Sequence, residues 1–202
     1  MAEQYFTENP TVAHDEHQVN YHLDNINLNL TTDAGVFSKL RVDYGSGVLI
    51  KQMLMQNPVE GKILDMGCGY GPIGLFAAKK WHNRIIDMVD VNERAMNLTR
   101  KNAQINHVQN ITVFASDGYS NVNDNYAMIV TNPPIRAGKK VWSAILRDAP
   151  KHLKDNGILL VVIQKKQGEP SARKIMNEQF GNCEILTRDK GYYILKSVKG
   201  KA

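Results

Sequence analysis

The sequence predicts an α/β protein: a seven-stranded, mostly parallel sheet with helices on both faces, an antiparallel strand pair at its C-terminal end and a short β-hairpin ahead of the core. Three observations carry this. From residue 62 onward, short apolar runs alternate with stretches of helical periodicity, and repeated strand–helix units require parallel pairing. The first of those strands runs straight into Gly67-Cys68-Gly69-Tyr70-Gly71, a flexible turn that opens a helix. The last two strands are joined by a turn at Lys190-Gly191, too short for a crossover, so they must be antiparallel.

Taken in order, residues 1–17 are polar and are expected to lie over the surface. Val19, Tyr21 and Leu23 alternate, then Ile26, Leu28 and Leu30, with Asp24-Asn25 between them, which is a hairpin signal. It looks like an added flap. A turn-rich loop over 32–39 follows, and Asp43 is placed to cap a helix carrying Val48, Leu49, Met53 and Leu54 that stops before Pro58. Residues 1–42 are therefore read as an extension and 43–202 as the domain proper. The core reads as strand 62–66, helix 72–81 with Pro72 near its first position, strand 84–89, helix 93–105 and strand 111–115. Strand 126–131, helix 139–153, strand 158–164, helix 170–180 and strands 184–187 and 192–197 complete it.

Strand 126–131 ends at Asn132-Pro133-Pro134-Ile135. Two prolines cannot continue a sheet ladder, because neither has a backbone donor. The chain thus leaves the sheet with the Asn132 amide at the carboxyl end of a strand, the edge where ligands sit in open α/β sheets. The side-chain carbonyl of Asn132 and the main-chain carbonyl of Pro133 are both acceptors, a pair suited to holding an exocyclic amine. Alone, the same four residues are equally an ordinary strand stop.

At 202 residues the chain suffices for one α/β domain with a full core plus an extension. Its 43% hydrophobic and 22% charged content is that of a soluble globular protein. It has no apolar run of about 18 residues and no basic-then-apolar leader pattern, so a cytoplasmic protein without a membrane partner is expected. Cys68 and Cys183 lack CxxC spacing, and His14 and His17 have no company that completes a ligand set, so no metal site is expected. Net charge is +5, but residues 1–38 hold six acids and no Lys or Arg, leaving +11 on the remainder. A basic body favours a polyanion such as RNA over an ordinarily solvated surface, though weakly.

Gly69-x-Gly71-x-x-Gly74, with Asp90 about 20 residues on, matches the dinucleotide fingerprint literally. Against NAD stand Asp65, whose carboxylate would face a pyrophosphate, the terminal strand pair where a second mononucleotide half would continue, and the lack of a hydride-transfer constellation. A nucleoside cofactor that carries a methyl group fits better.

Asp65-Met66-Gly67-Cys68-Gly69, an acid ending the next strand, and Asn132-Pro133-Pro134-Ile135 together resemble a class I S-adenosylmethionine-dependent methyltransferase, with its Rossmann-like sheet. The whole chain is similar to the small-subunit (16S) ribosomal RNA guanine-N2 methyltransferase family. Thr32-Asp33-x-Gly35-Val36-Phe37-Ser38, Asp43-Tyr44-Gly45-Ser46, Asp90-Val91-Asn92-Glu93-Arg94-Ala95 and Gln164-Lys165-Lys166-Gln167-Gly168 extend the likeness beyond the core. Longer members carry a second, duplicated half, and this chain would be a single-domain member.

The resemblance implies site residues. Asp65, Gly67 and Gly69, with Cys68 between the glycines, would hold the methionine part of S-adenosylmethionine. Asp90 would take the ribose hydroxyls, with Val91 and Asn92 beside it. Ser116, Asp117 and Gly118 would face the adenine, Asp117 accepting from its amine. Asn132, Pro133, Pro134 and Ile135 would form the catalytic turn, Asn132 also lying against the cofactor. Many amine methyltransferases have an aromatic residue where this chain has Ile135, so Phe37 and Tyr44 become candidates for stacking on the base. Arg136, Lys139, Lys140, Lys165 and Lys166 are expected at the same sheet edge, tracking phosphates. The implied partner is ribosomal RNA or the small ribosomal subunit, and the implied state a monomer or weak homodimer. Methylation of a protein glutamine amide or of adenine is the rival within enzymes. A non-catalytic RNA-binding assembly factor is the rival outside them.

Overall fold

The three apolar runs at 62–66, 126–131 and 158–164 lie side by side at the centre of one sheet. A computed structural model of the chain describes residue 8 and residues 10–201, so the surface course expected for 1–17 lies outside the described residues at positions 1–7 and 9. The hairpin is β1 (His17–Leu23) and β2 (Ile26–Thr32), followed by α1 (Tyr44–Leu54). The core continues through β3 (Ile63–Met66), α2 (Pro72–Lys80), β4 (Ile86–Asp90), α3 (Glu93–Ile105), β5 (Ile111–Ala115) and β6 (Tyr126–Thr131). It ends with α4 (Lys139–Asp148), β7 (Leu153–Gln164), α5 (Glu169–Phe180), β8 (Glu184–Asp189) and β9 (Tyr192–Val198). The order is β5-β4-β3-β6-β7-β9-β8, with β9 antiparallel to both its neighbours and the other pairs parallel.

Successive strand residues point to opposite faces, which is why a strand covered on both sides reads as unbroken apolar sequence. Along β7, Ile158, Leu160 and Val162 join Leu49 and Met53 of α1 and Phe76 of α2. Leu159, Val161 and Ile163 join Trp142 and Leu146 of α4 and Met176 of α5. Among the described residues no helix is long and apolar enough to cross a membrane.

One boundary departs from expectation. The helix expected over 139–153 stops at Asp148, residues Ala149–His152 form a 3-10 turn, and β7 begins at Leu153 rather than 158. Pro150 has no N–H to return to Leu146, and its ring crowds that carbonyl, so the helix cannot run on. Leu153 is instead drawn into pairing with Tyr126.

The hairpin does not stand off as a flap. Leu28 and Leu30 are fully buried in the cluster that α1 and α2 share with the sheet. Its open edge is closed by two asparagines of a helix. Asn102 on α3 accepts from the Thr31 N–H (2.7 Å) and donates to the carbonyls of Thr31 and Tyr70 (both 2.9 Å). Asn106, the C-cap of α3, accepts from the Asn29 N–H (2.9 Å) and donates to its carbonyl (2.8 Å). Alternate residues of a strand present their donor and acceptor to the same side, so two amides four positions apart stand in for a neighbouring strand. Asn102→Ala leaves three buried backbone groups without partners and should cost roughly 2–4 kcal/mol in urea unfolding, and a loss below about 0.5 kcal/mol would refute this docking role.

Candidate active site

β3 and β6 are adjacent, but the helices that follow them, α2 and α4, pack on opposite faces. The two loops part, and a cavity of about 660 Å³ opens at the carboxyl ends of β3, β4, β5 and β6.

On one side the wall is bare backbone. Gly67, Gly69 and Gly118 have φ of +77°, +57° and +52°, and no atom lies within 4 Å of where a Cβ would stand. Side chains would be strained there and would project into the cavity. Asp90 fixes this floor: one carboxylate oxygen accepts from the Gly69 N–H (2.8 Å) and the other from the Asn92 N–H (2.9 Å). Each oxygen keeps acceptor capacity for a hydroxyl, and burial pushes the Asp90 pKa up. Ser116 Oγ donates to the Gly118 carbonyl (2.7 Å) and accepts from the Asn121 N–H (3.1 Å), which turns exposed Asp117 to the cavity wall. Cys68 lies at the cavity wall, but its thiol is buried against the Thr99 hydroxyl (3.9 Å), and burial raises its pKa, which argues against a thiolate nucleophile.

Asp65 lies behind that floor rather than in it. It is fully buried; one oxygen accepts from the Gly74 N–H (2.8 Å), and the other has no partner among the described residues. Desolvation pushes its pKa up to about 7, against the Gly74 bond and with the Asp90 charge adding to the rise.

The other side holds the turn after β6. Asn132 is half-buried, and its Nδ2 donates to Ser46 Oγ (2.8 Å) and Asp43 Oδ2 (3.3 Å). A carboxylate only accepts, so the amide nitrogen must face Asp43, and Oδ1 of this cavity-lining residue is left as the acceptor. The Pro133 carbonyl already accepts from the Ile135 N–H (2.8 Å), leaving its second lone pair.

Besides Asp65, two more of the expected site residues lie off the cavity wall. Ile135 is absent from the cavity wall: half-buried, it packs on the cluster of Ile129, Trp142 and Ile163, because the 3-10 turn over Ile135–Ala137 folds it back to the core. Asn92 is fully buried and also off the wall. Its Oδ1 caps α3 through the Ala95 N–H (3.1 Å), and its Nδ2 donates to the Gly35 carbonyl (2.9 Å). With Arg94, which donates to the Ala34 carbonyl (2.8 Å), it fixes the loop that carries Phe37.

Of the stacking candidates, Phe37 lines the cavity. Tyr44 does not: its hydroxyl donates to Asp189 (2.7 Å), and Lys190 Nζ sits 4.6 Å from its ring centre. Arg136, Lys139, Lys140, Lys165 and Lys166 are exposed on the segments that follow β6 and β7, outside the cavity wall. Sequence reasoning missed Ser46 as the partner of Asn132, and Val141 and Ile145 of α4 as apolar wall. The i, i+4 spacing of the latter two marks a shared helix face, but not what that face meets.

The model of the family described as methyltransferase small domain matches residues 27–196. The Bacillus subtilis protein named uncharacterized protein YbxB is 47% identical over 201 residues, covering 98% of this chain and 100% of its own. The ribosomal RNA small subunit methyltransferase C of Vibrio vulnificus is 33% identical over 176 residues, 85% of this chain and 50% of its own. The chain thus spans about half the length of that relative. A T. thermophilus 16S rRNA N2 methyltransferase, solved with AdoMet and guanosine, superposes with a TM-score of 0.82 at 21% identity, over 94% of this chain and 52% of that one. This likeness shows the shared Rossmann-like fold.

The buried acid gives a pH signature. Unfolded, the Asp65 carboxyl titrates near its ordinary 3.8, and folded near 7. The folded state therefore keeps a proton that the unfolded state releases, so the group's contribution to stability is full below about pH 4 and is lost as pH rises through about 7. Relative to Asp65→Asn, the wild type should lose roughly 2–4 kcal/mol of unfolding free energy across that window in urea titrations. A pH-independent difference would mean that Asp65 is charged throughout.

Proposed function

Because the chain belongs to the methyltransferase small domain family, we propose that it transfers the methyl group of S-adenosylmethionine to an exocyclic amine of a nucleobase, guanine N2 in small-subunit ribosomal RNA. The observation that carries this is the Asn132 amide at the cavity wall beside Pro133, its nitrogen held by Ser46 and Asp43 so that Oδ1 is left to accept.

The bare glycine floor fits the cofactor, since Cβ atoms at Gly67, Gly69 and Gly118 would fill space a ligand needs. Gly67 and Gly69 would take its methionine part, Asp90 its ribose hydroxyls and Asp117 its adenine amine. Bound, S-adenosylmethionine supplies a sulfonium methyl that is already an activated electrophile. What remains for the chain is to position the nucleophile. The lone pair of an aromatic amine is delocalised into its ring. Acceptors on its two protons, Asn132 Oδ1 and the free lone pair of the Pro133 carbonyl, favour the pyramidal geometry that releases it. The proton leaves after transfer, so no strong base is needed.

RNA as the partner is supported by the basic balance beyond residue 38 and by the exposed lysines and arginine after β6 and β7. The names of the Vibrio and T. thermophilus relatives point the same way. On this reading residues 43–202 form the catalytic unit, residues 1–42 are an extension that bears the hairpin, and the reaction takes place in the cytoplasm.

A radiolabelled methyl assay on small ribosomal subunits, naked ribosomal RNA, protein and DNA, followed by mapping of the labelled nucleotide, tests the reading. Label confined to protein or DNA would overturn it. Asn132→Ala should lower kcat at least about 100-fold while cofactor affinity by calorimetry stays within about twofold. Lost cofactor binding would contradict the role given to Asn132. The Lys165→Ala/Lys166→Ala pair should weaken RNA binding and reduce the slope of log K against log salt by about 1.5, and an unchanged slope would remove that patch from the interface.

A further inference from the structure

We propose that Asp43 and Ser46 are positioning residues that determine which way round the Asn132 amide stands, an inference that rests on the reading of Asn132 as the grip on the acceptor amine. The oxygen and nitrogen of an amide are nearly the same size, so half a turn about χ2 would exchange them at little steric cost. The consequence for an incoming amine would be large, because a flipped Asn132 offers it two donors where it needs an acceptor.

The start of α1 removes that ambiguity. Nδ2 carries two hydrogens and meets two acceptors, Ser46 Oγ at 2.8 Å and Asp43 Oδ2 at 3.3 Å. With both hydrogens engaged, the full acceptor capacity of Oδ1 remains for the substrate. A flipped amide would instead set its oxygen against the Asp43 carboxylate. The latch is itself held in place: Asp43 is the N-cap of α1, the same Oδ2 accepts from the Ser46 N–H (3.1 Å), and the Asp43 carbonyl accepts from the Gly47 N–H (2.9 Å). Ser46 is 4% exposed, so its hydroxyl has little freedom to turn elsewhere. One carboxylate thus starts a helix and orients an amide 89 residues away in sequence.

An exchange of partners tests this. Ser caps a helix as well as Asp, so D43S should fold with an unchanged melting temperature and cofactor Kd. It should lose on the order of 10- to 100-fold in kcat on RNA, because a hydroxyl at 43 can donate as well as accept and no longer excludes the flipped Asn132 amide. N132D, which sets two carboxylates face to face, should lose at least as much. The double variant D43S/N132D removes that repulsion and offers the carboxylate at 132 a hydroxyl donor, and should recover at least about tenfold over N132D. S46A keeps the cap, since the Ser46 backbone N–H is untouched, and should lose about three- to tenfold in kcat. D43S at wild-type kcat, or a double variant no better than N132D, would overturn the inference. If D43S fails to fold, S46A at wild-type kcat does so. A wild-type protein that methylates no RNA would overturn the function proposed above, and this inference with it.

Discussion

Between β3 and β6 two neighbouring strands deliver their chains to opposite faces of the sheet, and the site follows from that parting. Where two parallel strands are followed by helices on the same face, the loops close over the strand ends. Where they diverge, the ends stay open. Four strand termini supply the walls in order: backbone and Asp90 on the β3–β4 side, Asp117 after β5, and the Asn132 turn after β6. The sheet leaves one flank uncovered, and the residues ahead of the core close it, with Phe37 and Ser38 from the loop and Asp43 and Ser46 from the start of α1.

What could be read from the sequence was local. Period-two and helical patterns are set by neighbours in the chain, so the strand and helix order of the core was legible, and so was the hairpin at Asp24-Asn25. The glycines at 67 and 69 and the prolines at 133 and 134 announced themselves because their backbone restrictions need no partner. The end of α4 is equally local, since Pro150 can neither donate to Leu146 nor clear its carbonyl. Contacts across the chain were not legible. Nothing near Asn92 says that its amide will bond to Gly35, and nothing near Ile135 says that a 3-10 turn will fold it back on the core. The departure at Ile135 from the aromatic common in related motifs loses its force here, since that side chain faces the core.

Charge at the cavity floor obeys a similar logic. Burial raises the pKa of both Asp65 and Asp90, so negative charge there is costly while nothing positive offsets it. The sulfonium and ammonium groups of the proposed cofactor are cations of the kind that would. The acids pin Gly69 and Gly74 through their backbone N–H groups, and on the proposed function they would also make the floor favour a cation over a pyrophosphate.

The asparagine pair on the hairpin edge sets a length as well as an interface. Thr31 is matched to Asn102 and Asn29 to Asn106, and just beyond them the Thr32 hydroxyl donates to the Lys39 carbonyl, closing the loop that bears Phe37. A strand buried on one face can slip only by two residues without turning its apolar side outward. Such a slip would carry the loop about 7 Å along the strand axis. The two amides therefore work as a ruler, and how far Phe37 reaches over the cavity is measured out by the spacing of two side chains that take no part in the chemistry.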